Sequence, residues 1–394
     1  MRESAACLSA REGKRGNGVL GSCSCPFARS KFCRMIPRMR MKLFFWKAAV
    51  LGCGAFFLPA AGMSGGTGEL AAAVSARLVS CEHAVDGRVT ARGAAMGTVF
   101  TVRAYPGHGM DGARTEEACM RALACAVFWE GVMSAMDAES RLAALNAAPA
   151  GVKVPVSPEL RRVLSLSLEY ARLTRGTFDP TLGPFIRLWK KSRRLGVLPS
   201  REDLERARRA SGWEKLSVDG EGVMKAAEGM RVDLGGIGKG FAVDRMADML
   251  KERGVESFCI DSISDVLAGA PPPGMQGWKL RVAVGEGRLE QRLMSHAAVS
   301  TSGDAHQFAE IDGVAYSHVL DPATGLGVTE GRQVSVQAPA AALADALSTA
   351  ACVMSEEAFR ALAGKIPGVS VLGFFRHPPP ENERSRAFSG QKIP

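Results

Sequence analysis

The spacing of apolar residues along the chain predicts five helices. Ser157 is a typical N-cap, Pro158 suits the first helical position, and apolar residues then recur every three or four positions. Gly254 is a typical residue for ending a helix. The predicted helices cover Arg114–Met136, a segment from Ser157, a segment from Ser200, Lys239–Arg253 and Ala340–Met354.

Short runs of β-branched and aromatic residues predict strands between these helices. The runs are Thr98–Tyr105, Met230–Leu234, Ser257–Asp261, Trp278–Val284, Val334–Gln337 and Val369–Phe375. Because strands and helices do not alternate regularly, a doubly wound parallel sheet is disfavoured and an α+β fold is expected.

The N-terminal part of the chain has the pattern of an export signal. A basic segment leads into the apolar run Ala48–Met63, which is short for a membrane span but typical of a signal-peptide core. We expect a leader over residues 1–63, with a true start possible between Met35 and Met41. A Gly- and Ala-rich linker over 64–90, a catalytic domain over 91–376 and a tail over 377–394 are expected to follow.

The net charge of +10 is concentrated in this leader. Residues 1–47 hold eleven Lys and Arg against Glu3 and Glu12, and therefore carry nine of the ten net positive charges. The remaining chain is close to neutral, which gives no electrostatic reason to expect a nucleic-acid partner.

Half of the ten cysteines fall in or before the leader. The last four of the chain lie in apolar patterns that are typical of small buried thiols. Cys53 ends the segment Val50–Cys53, which resembles a lipobox, so an inner-membrane lipid anchor at Cys53 and plain signal cleavage near Gly62 both remain open. In either case we expect an exported, periplasmic protein.

A glycine-rich turn precedes the fourth predicted helix. The sequence from Asp233 to Lys239 places Gly235, Gly236 and Gly238 where a chain enters a helix, and such a turn lets backbone N–H groups approach a phosphate. The segment matches neither a Walker loop nor GxGxxG. A tight structural turn is nearly as good an interpretation of this segment alone.

An acid lies within the apolar fifth helix. Asp345 and Thr349 are four residues apart and share one helix face, where a carboxylate and a hydroxyl suit Mg²⁺. A surface-facing aspartate is the simpler alternative, but the apolar neighbours indicate a helix that is buried on much of its circumference.

Two further segments combine turn-forming and polar residues. Thr177-Phe178-Asp179 lies between Gly176 and Pro180, and His318 precedes the Asp321-Pro322 turn. His318 with Asp321 could supply a base, although a histidine that bonds to its own loop is equally plausible. No GxSxG or HExxH motif accompanies them.

Taken together and in the order in which they follow along the chain, these four segments resemble the FAD:protein FMN transferases of the ApbE family, over about Ala95 to Phe375. The resemblance implies a single catalytic α+β domain of mixed or antiparallel sheets with surrounding helices, with FAD in a cleft between its two halves. It implies Mg²⁺-dependent transfer of FMN from FAD to a Thr or Ser hydroxyl of an exported acceptor flavoprotein, such as a redox-pump subunit, with release of AMP.

The resemblance also assigns roles to residues of this chain. The residues implied to contact FAD are Met96, Met136, Thr177, Phe178, Asp179, Asp233, Lys239 and Val319. Gly236, through its carbonyl, Asp345 and Thr349 are implied to bind Mg²⁺. His318 and Asp321 are the candidates for the catalytic base.

Three departures from the family pattern bear on FAD binding. The segment Asp261–Asp265 has side chains where the family usually has a glycine pair, Met136 replaces a frequent aromatic residue, and Gly327 replaces a usual proline. Two other functions remain open: an Mg²⁺-dependent FAD pyrophosphatase that yields FMN and AMP, since water could replace the acceptor hydroxyl, and a non-catalytic FAD-binding lipoprotein, which the altered segment favours.

Overall fold

An eight-stranded antiparallel sheet organises the chain. The computed structural model describes residues 77–376, apart from residue 286 and residues 304–307. The leader, Cys53 and the tail, for which predictions were made above, lie outside the described residues.

Eight α-helices occur in the described part of the chain. They are α1 (Gly112–Met133), α2 (Arg141–Ala147), α3 (Pro158–Leu173), α4 (Gly183–Leu195), α5 (Arg201–Arg209), α6 (Gly238–Lys251), α7 (Ala341–Ala351) and α8 (Glu356–Ala363).

Fifteen strands accompany these helices. They are β1 (Leu78–His83), β2 (Val89–Ala95), β3 (Thr98–Ala104), β4 (Lys153–Val154), β5 (Leu216–Val218), β6 (Val223–Lys225), β7 (Phe258–Asp261), β8 (Asp265–Ala268), β9 (Trp278–Gly285), β10 (Arg288–Met294), β11 (Ala297–Gly303), β12 (Phe308–Ile311), β13 (Val314–Ser317), β14 (Arg332–Ala338) and β15 (Ser370–Arg376).

The order of strands in the main sheet is β1-β2-β3-β7-β8-β11-β14-β15, and every neighbouring pair is antiparallel. Three smaller antiparallel sheets, β9-β10, β12-β13 and β4-β6-β5, surround it. The predicted α+β class is therefore confirmed.

Helices cover one face of the main sheet, and a hairpin packs on part of the other. In β7, Phe258 and Ile260 join the large core beneath α1, α6 and α7, whereas Cys259 packs with Trp278 of the β9-β10 hairpin. This split follows from the two-residue period of a strand. It brings α6 and α7 together over the middle of the sheet.

Local signals explain where several helices begin and end. The Ser157 and Ser200 hydroxyls accept from the backbone N–H of Leu160 and Asp203, as expected for N-caps. The five predicted helices all form, with ends shifted by a few residues.

The predicted strand Met230–Leu234 is wrong, because the backbone groups of this segment are engaged elsewhere. The Asn146 side chain donates to the Val232 carbonyl over 2.8 Å and accepts from the Val232 N–H over 2.7 Å. The Asp233 N–H donates to the Pro180 carbonyl. A side chain and a loop therefore take the place of a strand ladder.

The main sheet also begins earlier than expected. Strand β1 lies inside the range 64–90 that was expected to be a linker, and it pairs with β2. No helix among the described residues is long and apolar enough to cross a bilayer.

Candidate active site

A cleft of about 1040 Å³ lies where the start of α6 meets α7 and the central strands. Six of the thirteen predicted site residues line it: Met96, Met136, Asp233, Lys239, His318 and Asp345. The volume is sufficient for a ligand of nucleotide size.

The glycine-rich turn directly precedes the N-terminus of α6. Asp233 Oδ1 accepts from the Gly235 N–H over 2.8 Å, which tightens the turn, and α6 then begins at Gly238. The N-cap residue Ile237 makes no side-chain cap bond, while the Gly238 N–H donates to the Leu234 carbonyl and the Gly240 N–H donates to a side chain of α7. The positive end of the helix dipole therefore suits an anionic ligand in the cleft.

Close packing of α6 on α7 positions Asp345. A Cβ at position 240 would lie 2.3 Å from the Ala341 carbonyl oxygen and 2.8 Å from Asp345 Cβ, so only glycine fits there. The Gly240 N–H donates to Asp345 Oδ2 over 3.0 Å. Asp345 is 2% exposed, which excludes the interpretation of a surface-facing aspartate.

Lys239 lies between two buried carboxylates. Its Nζ is 3.6 Å from Asp265 Oδ2 and 3.9 Å from Asp345 Oδ2. These charges raise the pKa of Lys239, while burial and the nearby Asp265 raise the pKa of Asp345. With all three side chains ionised, the group carries one net negative charge, which favours an added cation.

Thr349 and Gly236 lie side by side on the same part of the site. A Cβ at position 236 would be 3.4 Å from Thr349 Oγ1, and that hydroxyl is 3.4 Å from Ser302 Oγ of β11. Ser302 also bonds to Ser348 of α7 over 2.7 Å. The structure therefore brings the predicted metal-binding group together with hydroxyls that the sequence analysis did not select.

The altered segment Asp261–Asp265 turns its hydroxyls inward. Ser262, Ser264 and Ser300 all donate to the fully buried Asp265 carboxylate, over 3.1, 2.7 and 2.7 Å. Between the two serines of the segment, Ile263 lines the cleft with 80% of its surface exposed and a φ of 72°. An isoleucine in the left-handed region is a strained backbone position.

Sequence reasoning missed Asp265 as a site residue. The sequence pattern places it at the end of an altered loop, although an acid directly before the apolar pair Val266 and Leu267 is an available signal for a largely buried strand.

Three other predicted residues, Thr177, Phe178 and Asp179, do not line the cleft but lie in a loop next to it. Phe178 is 4% exposed and lies beside Gly236. Asp179 accepts from the Thr181 N–H and hydroxyl and from the Trp213 N–H, so it holds its own loop. Thr177 donates to the Thr174 carbonyl.

The two candidate bases differ in placement. His318 is exposed and lines the cleft. Asp321 Oδ1 accepts from the Ala323 N–H over 2.8 Å within its own turn, and Val319 is buried beneath. His318 is therefore the better placed of the two to meet a substrate.

An antiparallel α+β domain that joins a glycine-rich helix start and a buried acid in one nucleotide-sized cleft has the features of a nucleotide-binding protein. Residues 96–372 match the ApbE family, and the chain belongs to that family.

Named relatives agree with this assignment. The chain is 30% identical over 308 residues to the FAD:protein FMN transferase of Vibrio cholerae, covering 75% of this chain and 90% of the relative. It is 29% identical over 372 residues to the FAD:protein FMN transferase of Treponema pallidum, covering 89% and 96%. The predicted enzyme class, a transferase, is confirmed.

Solved structures give the same result. A mutant of the flavin transferase ApbE from Vibrio cholerae superposes with a TM-score of 0.65 at 28% identity, covering 74% of this chain and 96% of that one. The apo form of the flavinyl transferase ApbE from Pseudomonas stutzeri gives a TM-score of 0.63 at 27% identity, covering 76% and 95%.

Proposed function

We propose that this protein transfers FMN from FAD to a Thr or Ser hydroxyl of an acceptor flavoprotein, releases AMP and requires Mg²⁺. The observation that carries the proposal is the convergence of Lys239, Asp345 and the glycine turn in one cleft. The relatives of this protein are named FAD:protein FMN transferases. Met96, Met136 and Asp233 line the same cleft and are proposed to contact FAD.

The donor set supports a magnesium ion. Asp345 offers a buried carboxylate, Thr349 a hydroxyl and Gly236 a carbonyl, and Mg²⁺ prefers oxygen ligands of these kinds. The net negative charge of the Lys239, Asp265 and Asp345 group points the same way. When bound, the ion would polarise the pyrophosphate and neutralise charge that develops on the leaving AMP.

Residues of this chain would bind the phosphates, accept the proton and support the loop beside the metal site. The positive end of the α6 dipole would attract the phosphates, with Lys239 fixed beside them by Asp265. His318 would accept the proton of the attacking hydroxyl, since it lines the cleft and Asp321 does not. Phe178 and Asp179 would hold the loop that backs Gly236.

We also propose that the protein is exported and acts on an exported acceptor. The basic segment before Ala48–Met63 supports export, and Cys53 provides a possible lipid anchor at the inner membrane. Mass spectrometry of the mature N-terminus tests this proposal: a lipidated Cys53 or a cut near Gly62 supports it, and an uncleaved cytoplasmic chain contradicts it.

One assay separates transfer from its two alternatives. The protein is incubated with FAD, Mg²⁺ and a candidate acceptor domain, and flavin fluorescence is read in a denaturing gel while AMP and FMN are quantified. A fluorescent acceptor band with equimolar AMP is expected. Free FMN without a band would indicate an FAD pyrophosphatase, and unchanged FAD would indicate a binding protein. The matched control is an acceptor in which the target Thr or Ser is replaced by Ala.

A further inference from the structure

Three metal-ligating side chains meet outside the cleft, between the edge strand β1 and helix α1. The Cys81 thiol, the His83 imidazole and the Glu116 carboxylate each place a ligand atom within 4.8 Å of the other two. His83 Nε2 and Glu116 Oε2 are 2.7 Å apart. None of the three lines the cleft, and the function proposed above does not use them.

The backbone explains why these side chains converge. Cys81 and His83 are two residues apart on β1 and therefore project from the same face of the strand. Glu116 lies in the second turn of α1. A Cβ at Gly112 would lie 3.2 Å from His83 Nδ1, so the start of this helix closely approaches the imidazole.

We propose that Cys81, His83 and Glu116 bind Zn²⁺, with water in a fourth position. Zn²⁺ takes thiolate, imidazole and carboxylate ligands together at about 2.0 to 2.3 Å. Mg²⁺ and Ca²⁺ select oxygen ligands and would not use the thiol. The His83 and Glu116 side chains are 47% and 42% exposed, which leaves a path for the ion from solvent.

A reactive thiol at Cys81 fits the surroundings less well than a metal ligand does. A reactive thiol needs a lowered pKa, but burial and the adjacent Glu116 charge raise the pKa of Cys81 to about 11. A disulfide with Cys119, which is buried in α1, is a competing state, although both thiols are free in this structure.

A bound ion would join β1 to the helix layer. Among the described strands, β1 pairs with β2 alone, so it is an edge strand held along one side. The contact between His83 and Glu116 already links it to α1, and a metal held by these two residues and Cys81 would strengthen that link near the start of the domain. We therefore expect Zn²⁺ to raise the melting temperature without being needed for folding.

The test is a Zn²⁺ titration of the full chain, reduced and freed of metal, by calorimetry with Mg²⁺ in excess. One Zn²⁺ per chain is expected, and Co²⁺ in its place should give the absorption of a thiolate-to-cobalt charge transfer. Cys81→Ser and His83→Ala should each weaken binding by at least about tenfold, since even loss of an outer-shell partner costs that much.

Glu117→Gln and His108→Ala are matched controls, because both residues are exposed and neither belongs to the cluster. They should bind Zn²⁺ as the unmodified chain does. His83→Ala alters an exposed side chain, so it remains informative if Cys81→Ser does not fold. Unchanged affinity in His83→Ala, a cobalt spectrum without the thiolate band, or a Cys81–Cys119 disulfide in the isolated protein would each overturn the proposal.

Discussion

The Gly240 N–H donates to Asp345 Oδ2 over 3.0 Å, and it reaches the carboxylate because residue 240 carries no side chain. A methyl group there would meet the Ala341 carbonyl oxygen at 2.3 Å. The contact between the two helices and the position of the acid therefore depend on the same glycine.

Gly240→Ala should destabilise the fold and displace α7. Forcing a methyl group into a close-packed contact costs about 1 to 3 kcal/mol, so we expect a lower melting temperature together with a higher Mg²⁺ requirement for FMN transfer. Gly131→Ala is the matched control, because Gly131 is an exposed helical glycine with nothing within 4 Å of an added Cβ. That change should stabilise by about 0.5 to 1 kcal/mol. Equal effects of the two substitutions would contradict the packing argument.

Ile263→Gly should stabilise the protein. The residue is exposed, so little apolar burial is lost, and glycine adopts its φ of 72° without the cost of about 1 to 3 kcal/mol borne by a branched residue. Ile263→Val keeps the branch at Cβ and should gain nothing. Thermal unfolding measures stability, and an FAD titration of the same variants reports whether the side chain contacts the ligand. A destabilised glycine variant would show that Ile263 is held by contacts and not strained.

The sequence predicts those parts of the site that local patterns determine, and it fails where a hydrogen-bond partner is distant in sequence. Asp345 could be placed on a buried helix face because periodicity and apolar neighbours carry that information. The strand predicted over Met230–Leu234 was wrong because Asn146, distant in sequence, takes both backbone groups of Val232. The inward hydroxyls around Asp265 depend on Ser300 of another strand, which no local pattern reveals.

Asp244 should make stability depend on pH. It accepts from the N–H groups of Ala341 and Ala342 at the start of α7, and burial raises its pKa to about 6. A carboxyl whose pKa is higher in the folded than in the unfolded protein stabilises most below its unfolded value near 4. That stabilisation, up to about 3 kcal/mol, is lost as the pH rises through about 6.

Denaturant unfolding between pH 4 and 7 checks this. The Asp244→Asn variant should lose this part of the pH dependence. The difference in unfolding free energy between the variant and the unmodified chain should therefore change with pH. Asp312→Asn, at the exposed turn between β12 and β13, should leave the difference constant. A constant difference for Asp244→Asn as well would mean that its pKa is not raised.

Asp345→Asn should abolish activity while preserving the fold. The amide is the same size and its oxygen can still accept from the Gly240 N–H. Removing a buried negative charge also ends the repulsion with Asp265, and Lys239 keeps Asp265 as its partner at 3.6 Å, so the melting temperature should change little. A hard dication, in contrast, loses its charged ligand. FMN transfer should then require far more Mg²⁺ or never recover.

The measurement is FMN transfer over a Mg²⁺ titration, paired with thermal unfolding, and Asp312→Asn again serves as the surface control. If Asp345 served the fold alone, the variant would be destabilised and its residual activity would follow the folded fraction. A stable variant with unchanged Mg²⁺ dependence would instead remove Asp345 from the metal site. Thr349→Val separates the two cases further, because it deletes the neighbouring hydroxyl without altering any charge, and should raise the Mg²⁺ requirement less than Asp345→Asn does.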